Sequence, residues 1–98
     1  MTIDLSLNNT QLYSGCDIET VAGRLNLTTS IAASIEIVGG NVNDMLSGVT
    51  PEERDEVVLT GPMAVWAYLI VFHAVVHRFR RVLYDDGRSG PVLVAAHG

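Results

Sequence analysis

The stretch Val57-Val58-Leu59-Thr60-Gly61-Pro62-Met63-Ala64-Val65-Trp66, continuing as Ala67-Tyr68-Leu69-Ile70-Val71-Phe72-His73-Ala74-Val75-Val76-His77, decides how this chain is read. A continuous apolar run, Val57–Leu59, has the character of a buried strand. Gly61-Pro62 then breaks it, and the apolar residues that follow run on too long for another strand. Proline is tolerated in the first helical turn, where its missing N–H costs nothing. A helix from about Met63 to Arg78 is therefore expected, apolar almost all round, as suits one packed on a sheet and against a second subunit. Arg78, Arg80 and Arg81 follow its end, where positive charge complements the helix dipole.

Downstream, Arg81–Tyr84 and Pro91–Ala96 predict two strands joined by Asp85-Asp86-Gly87-Arg88-Ser89-Gly90, a turn rich in Asp and Gly. Upstream, Thr2-Ile3-Asp4-Leu5-Ser6-Leu7 alternates polar and apolar residues, the pattern of a half-buried strand. Asn8-Asn9 marks a turn, and Thr10–Tyr13 reads as a short returning strand. Asp17 is placed to cap a short helix with the stripe Ile18, Val21, Ala22 and Leu25. Ser30–Val38 alternates with Ile31, Ala33, Ile35 and Ile37 on one face and predicts a strand stopped by Gly39-Gly40. Asn41–Ser47 reads as no more than a helical turn. Thr50-Pro51-Glu52-Glu53 carries the signature of a helix start but leads into Val57, so it is one turn within a connection. The expected fold is a single α+β domain over residues 1–98, a mixed sheet with helices packed on one face.

Bulk properties limit the function classes. The 98 residues carry a net charge of −5, six Arg and no Lys, which argues against general affinity for duplex DNA or other nucleic-acid backbones. A small anionic ligand held by a few arginines is not excluded by net charge. Leu59–Val76 lacks a formal charge, yet Gly61-Pro62 and His73 leave about 15 residues where a span needs about 20, so no membrane span is expected. The single Cys16 cannot form an internal disulfide, and the cytoplasm is the default compartment. With 48% hydrophobic residues, some apolar surface is expected to be shared in a homo-oligomer.

Residues able to do chemistry concentrate in the C-terminal half. His73 and His77 are one helical turn apart and together could hold a metal ion, or be a pair of partly buried histidines. Asp85 and His97 end the two neighbouring strands. With a helix histidine they form a set suited to Mn²⁺ or another divalent cation, or to general acid–base work on a phosphodiester. Equally, Asp85 and Asp86 are ordinary turn residues and His97 a tail. Arg88 offers a guanidinium for bidentate phosphate binding. Thr60-Gly61-Pro62 offers backbone N–H groups before a helix, a natural anion site. Trp66 and Tyr68 could stack on a base, with core packing the simpler use of Trp66.

The order Val-Val-Leu-Thr-Gly-Pro, Trp66, helix histidines, Tyr84-Asp85 and a closing apolar strand ending at His97 resembles the CRISPR-associated Csx-three family, also called CRISPR ring nuclease three. That family shows a strand with Ser/Thr-Gly, a Gly-Pro-aliphatic-Trp helix carrying histidines, Tyr-Asp-Pro-Arg with a Gly, and a valine-rich strand ending Ser-His-Ser. The resemblance covers about Ile35 to Gly98. It implies a ferredoxin-like fold, a homodimer or higher oligomer, and a Mn²⁺-dependent phosphodiesterase that binds and linearises cyclic tetraadenylate, a cyclic oligoadenylate, to switch off type III CRISPR signalling. On that resemblance Asp85, His97 and His77 are catalytic. His73, His77, Asp85 and His97 hold the metal, and Gly61, Pro62 and Arg88 bind the ligand. Three departures bear on catalysis more than on fold: Pro62 and Trp66 are separated by three residues instead of one, Asp86 replaces a proline, and Ala96-His97-Gly98 replaces Ser-His-Ser.

Overall fold

The computed structural model describes residues 1–97. In chain order the elements are β1 (Thr2–Asp4), β2 (Ile18–Val21), β3 (Arg24–Leu27), α1 (Ile31–Ser47), a 3₁₀ turn (Pro51–Arg54), β4 (Glu56–Thr60), α2 (Val65–Val76), β5 (Arg81–Asp85) and β6 (Val92–Ala96). Four strands form a mixed sheet in the order β1-β4-β5-β6, with β1, β4 and β5 parallel and β6 antiparallel to β5. α1 and α2 pack on each other and against this sheet. The expected α+β mixed sheet with helices packed against it holds, and at this level it is consistent with a ferredoxin-like arrangement.

The decisive stretch folds as its residues suggest. β4 alternates buried Val57 and Leu59 with half-buried Glu56, Val58 and Thr60, so one face is covered and the other is not. Burial on both faces is thus corrected to burial on one. α2 presents Ala67, Val71 and Val75 to the interior at four-residue spacing, while Val65 and Leu69 are 72% and 62% exposed. No helix among the described residues is long and apolar enough to cross a membrane.

The N-terminal half departs from expectation. Ser30–Val38 is not a strand: α1 runs 17 residues through Gly39-Gly40 and absorbs Asn41–Ser47. The alternating isoleucines point elsewhere, and Ile31 is 60% exposed. What is buried is the four-residue stripe Ser34, Val38, Val42 and Leu46, opposite that of α2. Ser30 supplies the cap, its Oγ accepting from Ala33 N–H at 3.2 Å. Two mid-helix glycines cost about 1 kcal/mol each relative to alanine. Gly39 nonetheless packs where a Cβ would stand 3.8 Å from Ile70, so the small residue allows α1 to lie close to α2. The topology also requires this helix, because parallel β1 and β4 need a crossover between them.

Asp17–Leu25 is likewise not a helix. Ile18–Val21 and Arg24–Leu27 pair as an antiparallel hairpin closed by Ala22 and Gly23, both at positive φ (52° and 77°), as a tight primed turn demands. Thr10–Tyr13 is a run of turns instead of a strand. It nevertheless contributes fully buried Leu12 and Tyr13 to the core. Side chains hold it there: Tyr13 donates its hydroxyl to the Leu5 carbonyl, Asn9 Nδ2 to the Asp4 carbonyl at 2.7 Å, and Asn41 Nδ2 to the Leu12 and Ser14 carbonyls at 2.8 Å each. Burial, then the nearby Asp4 carboxylate, pushes the Tyr13 phenol well above its ordinary range.

Candidate functional site

The fold distributes the chemistry-bearing residues over two opposite ends of the sheet. Because β6 runs antiparallel to β5, Tyr84 pairs with Val92 and Arg81 with Ala96. Asp85 thus belongs with the start of β6, whereas His97 lies beside Arg80, to whose carbonyl its backbone N–H donates at 2.6 Å. Four to five residues of strand separate the two, about 15 Å at a strand's rise of about 3.3 Å per residue. The expectation that Asp85 and His97 form one set with a helix histidine is corrected by this register.

At the His97 end, α2 stops at Val76 with His77 as its C-cap, and Arg78, Phe79 and Arg80 turn the chain into β5. Phe79 is buried and anchors the turn, leaving its neighbours on the surface. His77, Arg78, Arg80, His97 and Arg54 line a cleft of about 550 Å³ whose acidic rim is Glu52 and Asp55. Arg81 is occupied elsewhere, 2.5 Å from Glu56 and 3.8 Å from Asp55. Among the described residues Arg78 and Arg54 donate only to backbone carbonyls, of Asn43 at 3.5 Å and Val49 at 3.4 Å. His73 stands one turn before His77, the rings edge to face with centroids 5.2 Å apart. Both lie in a smaller groove of about 280 Å³ between α1 and α2.

The other end gathers Asp4, Thr60, Gly61, Asp85 and Asp86, and most of its polar groups are already used. Asp4 accepts from Ser6 N–H at 2.8 Å and Ser6 Oγ at 3.0 Å. Thr60 Oγ1 donates to the Asp85 carbonyl at 2.9 Å. Asp85 Oδ1 accepts from Gly87 N–H at 2.8 Å, and Asp86 Oδ1 from Arg88 and Ser89 N–H at 2.8 and 3.0 Å. The two aspartates therefore build the turn, as short polar side chains do. The Ser89 and Arg88 amides hold the Asp86 carboxyl below its ordinary value. Arg88 is exposed in this turn, at the end away from His97.

Gly61 and Pro62 do not open α2. The helix begins at Val65 with Ala64 as cap, so their backbone is not part of its first turn. Gly61 has φ +102°, and a Cβ there would collide with the Asp4 carboxylate and approach the Ser6 and Leu5 nitrogens at 3.0 and 3.1 Å. Its carbonyl accepts from the Tyr68 hydroxyl at 2.6 Å. Tyr68 in turn stands edge-on to Tyr84, centroids 5.5 Å apart, and Trp66 packs against the core. Gly61 and these aromatics thus serve the packing of the strand-to-helix connection. Burial raises the half-buried Cys16 thiol, which suits an inert cysteine.

A Mn²⁺ site made of His73, His77, Asp85 and His97 does not fit one copy of the chain. Among the described residues no group of three or more His, Cys, Asp or Glu side chains stands together to hold an ion. The pair His73 and His77 supplies two imidazoles and no third ligand. What the sequence reading missed is Arg54, Arg78 and Arg80 as companions of His77 and His97. Arg78 and Arg80 had a signal in the cluster His77-Arg78-Phe79-Arg80-Arg81, with apolar Phe79 between two charges, whereas Arg54 had none. No family model, no curated protein and no solved structure matches this chain.

Proposed function

We propose that this protein binds a cyclic oligoadenylate, cyclic tetraadenylate first among them, and linearises it as a ring nuclease of type III CRISPR signalling in the cytoplasm. The observation that supports this best is the cleft in which His77, Arg78, Arg80 and His97 converge at one end of the sheet. Guanidinium groups match phosphate oxygens bidentately. A histidine pair provides a base for the attacking hydroxyl and an acid for the leaving oxygen near neutral pH. Arg80 sits in the same cleft without a salt-bridge partner among the described residues. Asp85 and the histidines lie too far apart in one chain to share Mn²⁺ or another divalent cation, so such an ion would need ligands from two copies.

The test is incubation of the protein with cyclic tetraadenylate, with and without Mn²⁺, and separation of the products by chromatography. Linear product that His97→Ala and His77→Ala abolish supports the assignment. Intact ligand after long incubation at high protein concentration removes it. A second reading, a module that binds or senses the cyclic oligoadenylate without cleaving it, is favoured by the engagement of Asp85 in its own turn. Tight binding without turnover, unaffected by His97→Ala, would establish that reading. A melting temperature that rises with ligand reports binding under either, because a ligand that binds only the folded state must stabilise it.

A further inference from the structure

We propose that the groove between α1 and α2 is a binding site for a small straight-chain carboxylate, its alkyl chain laid along the groove and its carboxylate held by Arg78. The floor is apolar, made of Ile35, Gly39, Val42, Ile70 and Ala74. Polar groups gather at one end, where Asn43, His77 and Arg78 meet and Arg78 Nη1 donates to the Asn43 carbonyl at 3.5 Å. Asn43 follows Ile35 by eight positions on α1, a length of about 12 Å at about 1.5 Å per residue. The volume of about 280 Å³ holds roughly nine heavy atoms at about 30 Å³ each. Volume over length describes a slender ligand, an extended alkyl chain instead of a ring system. Gly39 keeps the floor open. A glycine inside a helix weakens it, yet an alanine Cβ there would stand at ordinary contact distance, 3.8 Å from Ile70. A longer side chain would fill the groove.

Charge selects an anion, and its amount selects a monoanion. Arg78 is half-buried, and among the described residues its side chain makes only the long bond to Asn43. No acidic residue lines the groove. Glu36 and Asp44 each follow a lining residue by one position, about 100° round the helix, and are exposed. Glu52 and Asp55 line the adjoining cleft, and neither forms an ion pair with Arg78 among the described residues. The carbonyls that end α2 offset about half a unit charge, so a net cation remains. A guanidinium meets a carboxylate in two parallel hydrogen bonds of matching charge. A dianionic phosphate would exceed this single fixed charge. The groove shares His77 and Arg78 with the cleft but does not depend on the assignment of a nucleotide ligand.

Titration of the isotope-labelled full chain with octanoate to about 10 mM, followed by amide chemical shifts, tests the assignment. Saturable shifts centred on Gly39, Ile70 and Ala74 are expected. Octanol, which lacks the charge, is expected to bind about tenfold more weakly or worse. Arg78→Gln is expected to weaken octanoate about tenfold or more and to leave octanol unchanged, a difference that no folding defect produces. Gly39→Leu, which keeps a good helix former in α1, is expected to abolish binding of both. Gly40→Ala, where a Cβ meets nothing within 4 Å, is expected to change neither. Absence of saturable shifts overturns the assignment. So do equal affinities for octanoate and octanol, shifts centred on exposed Val65 and Leu69, or octanoate binding that Arg78→Gln leaves intact.

Discussion

The two ends of the sheet use the same kinds of polar residue in opposite ways. At the end of Asp4, Thr60 and Asp85 the carboxylates face backbone N–H groups two or three residues on, and each bond fixes a turn. At the end of His77, Arg80 and His97 the chain reverses around buried Phe79, and the charged side chains are left facing a cleft. The contrast follows from reach. An Asp is short enough to satisfy its own backbone, whereas Arg and His project beyond theirs and satisfy partners elsewhere. The acidic end is therefore committed to structure, and the other end holds the arginines and histidines on which the proposed function rests.

Substitutions break this contrast in a graded order. The largest effect is expected from Gly61→Ala at the committed end, where a Cβ meets both a positive φ and the Asp4 carboxylate. A loss of about 2–4 kcal/mol is expected in a urea unfolding titration, the sum of backbone strain and overpacking. A loss under about 1 kcal/mol, the scale of an ordinary surface change, would show that this end is looser than described.

Asp85→Ala is expected to cost about 0.5–1.5 kcal/mol in the same titration, the net value of one hydrogen bond. Ligand affinity is expected to stay unchanged, because the residue's Oδ1 serves Gly87. At the opposite end His77→Ala and His97→Ala are expected to stay within about 0.5 kcal/mol of the unmodified protein, because both are exposed and among the described residues only their backbones make hydrogen bonds. Each is expected to lose affinity for cyclic tetraadenylate in a direct binding assay. Stability losses from the histidines larger than that from Asp85 would reverse the comparison.

The smallest effect concerns pH. The Ser89 and Arg88 amides stabilise the Asp86 carboxylate, so its folded-state pKa is depressed below 3.8. The turn is thus stabilised above the ordinary carboxylate value, and that stabilisation fades as the pH falls through the depressed one. The amide resonances of Arg88 and Ser89 are expected to titrate below 3.8 and, in Asp86→Asn, not to titrate with that group. A transition at the ordinary value would show that the turn bonds do not hold in solution.

How much was legible follows from the range of each interaction. β4, the connection through Gly61-Pro62, α2, β5 and β6 were all readable from residues 57–96, because each is announced by its own apolar run and punctuated by Gly or Asp. α1 was not, since Ile31, Ala33, Ile35 and Ile37 mimic a strand face and Gly39-Gly40 mimics a stop. The β2–β3 hairpin was hidden by Ala22, an uncommon occupant of a positive φ position. The candidate site was half legible: His73, His77 and His97 stood out and Arg78 and Arg80 flank Phe79 in one cluster, but Arg54 carries no motif and joins them only through the fold.

The sequence by itself determined which residues could act and that the C-terminal half holds nearly all of them, because residue type and helical spacing are local properties. Only the tertiary structure decided that Ile31–Ser47 is a helix, since parallel β1 and β4 require a crossover and Val38, Val42 and Leu46 find α2 to pack on. It also decided that Asp85 and His97 lie apart. Two strand ends adjacent in the reading became opposite ends in space, because the turn between β5 and β6 reverses the direction of the chain.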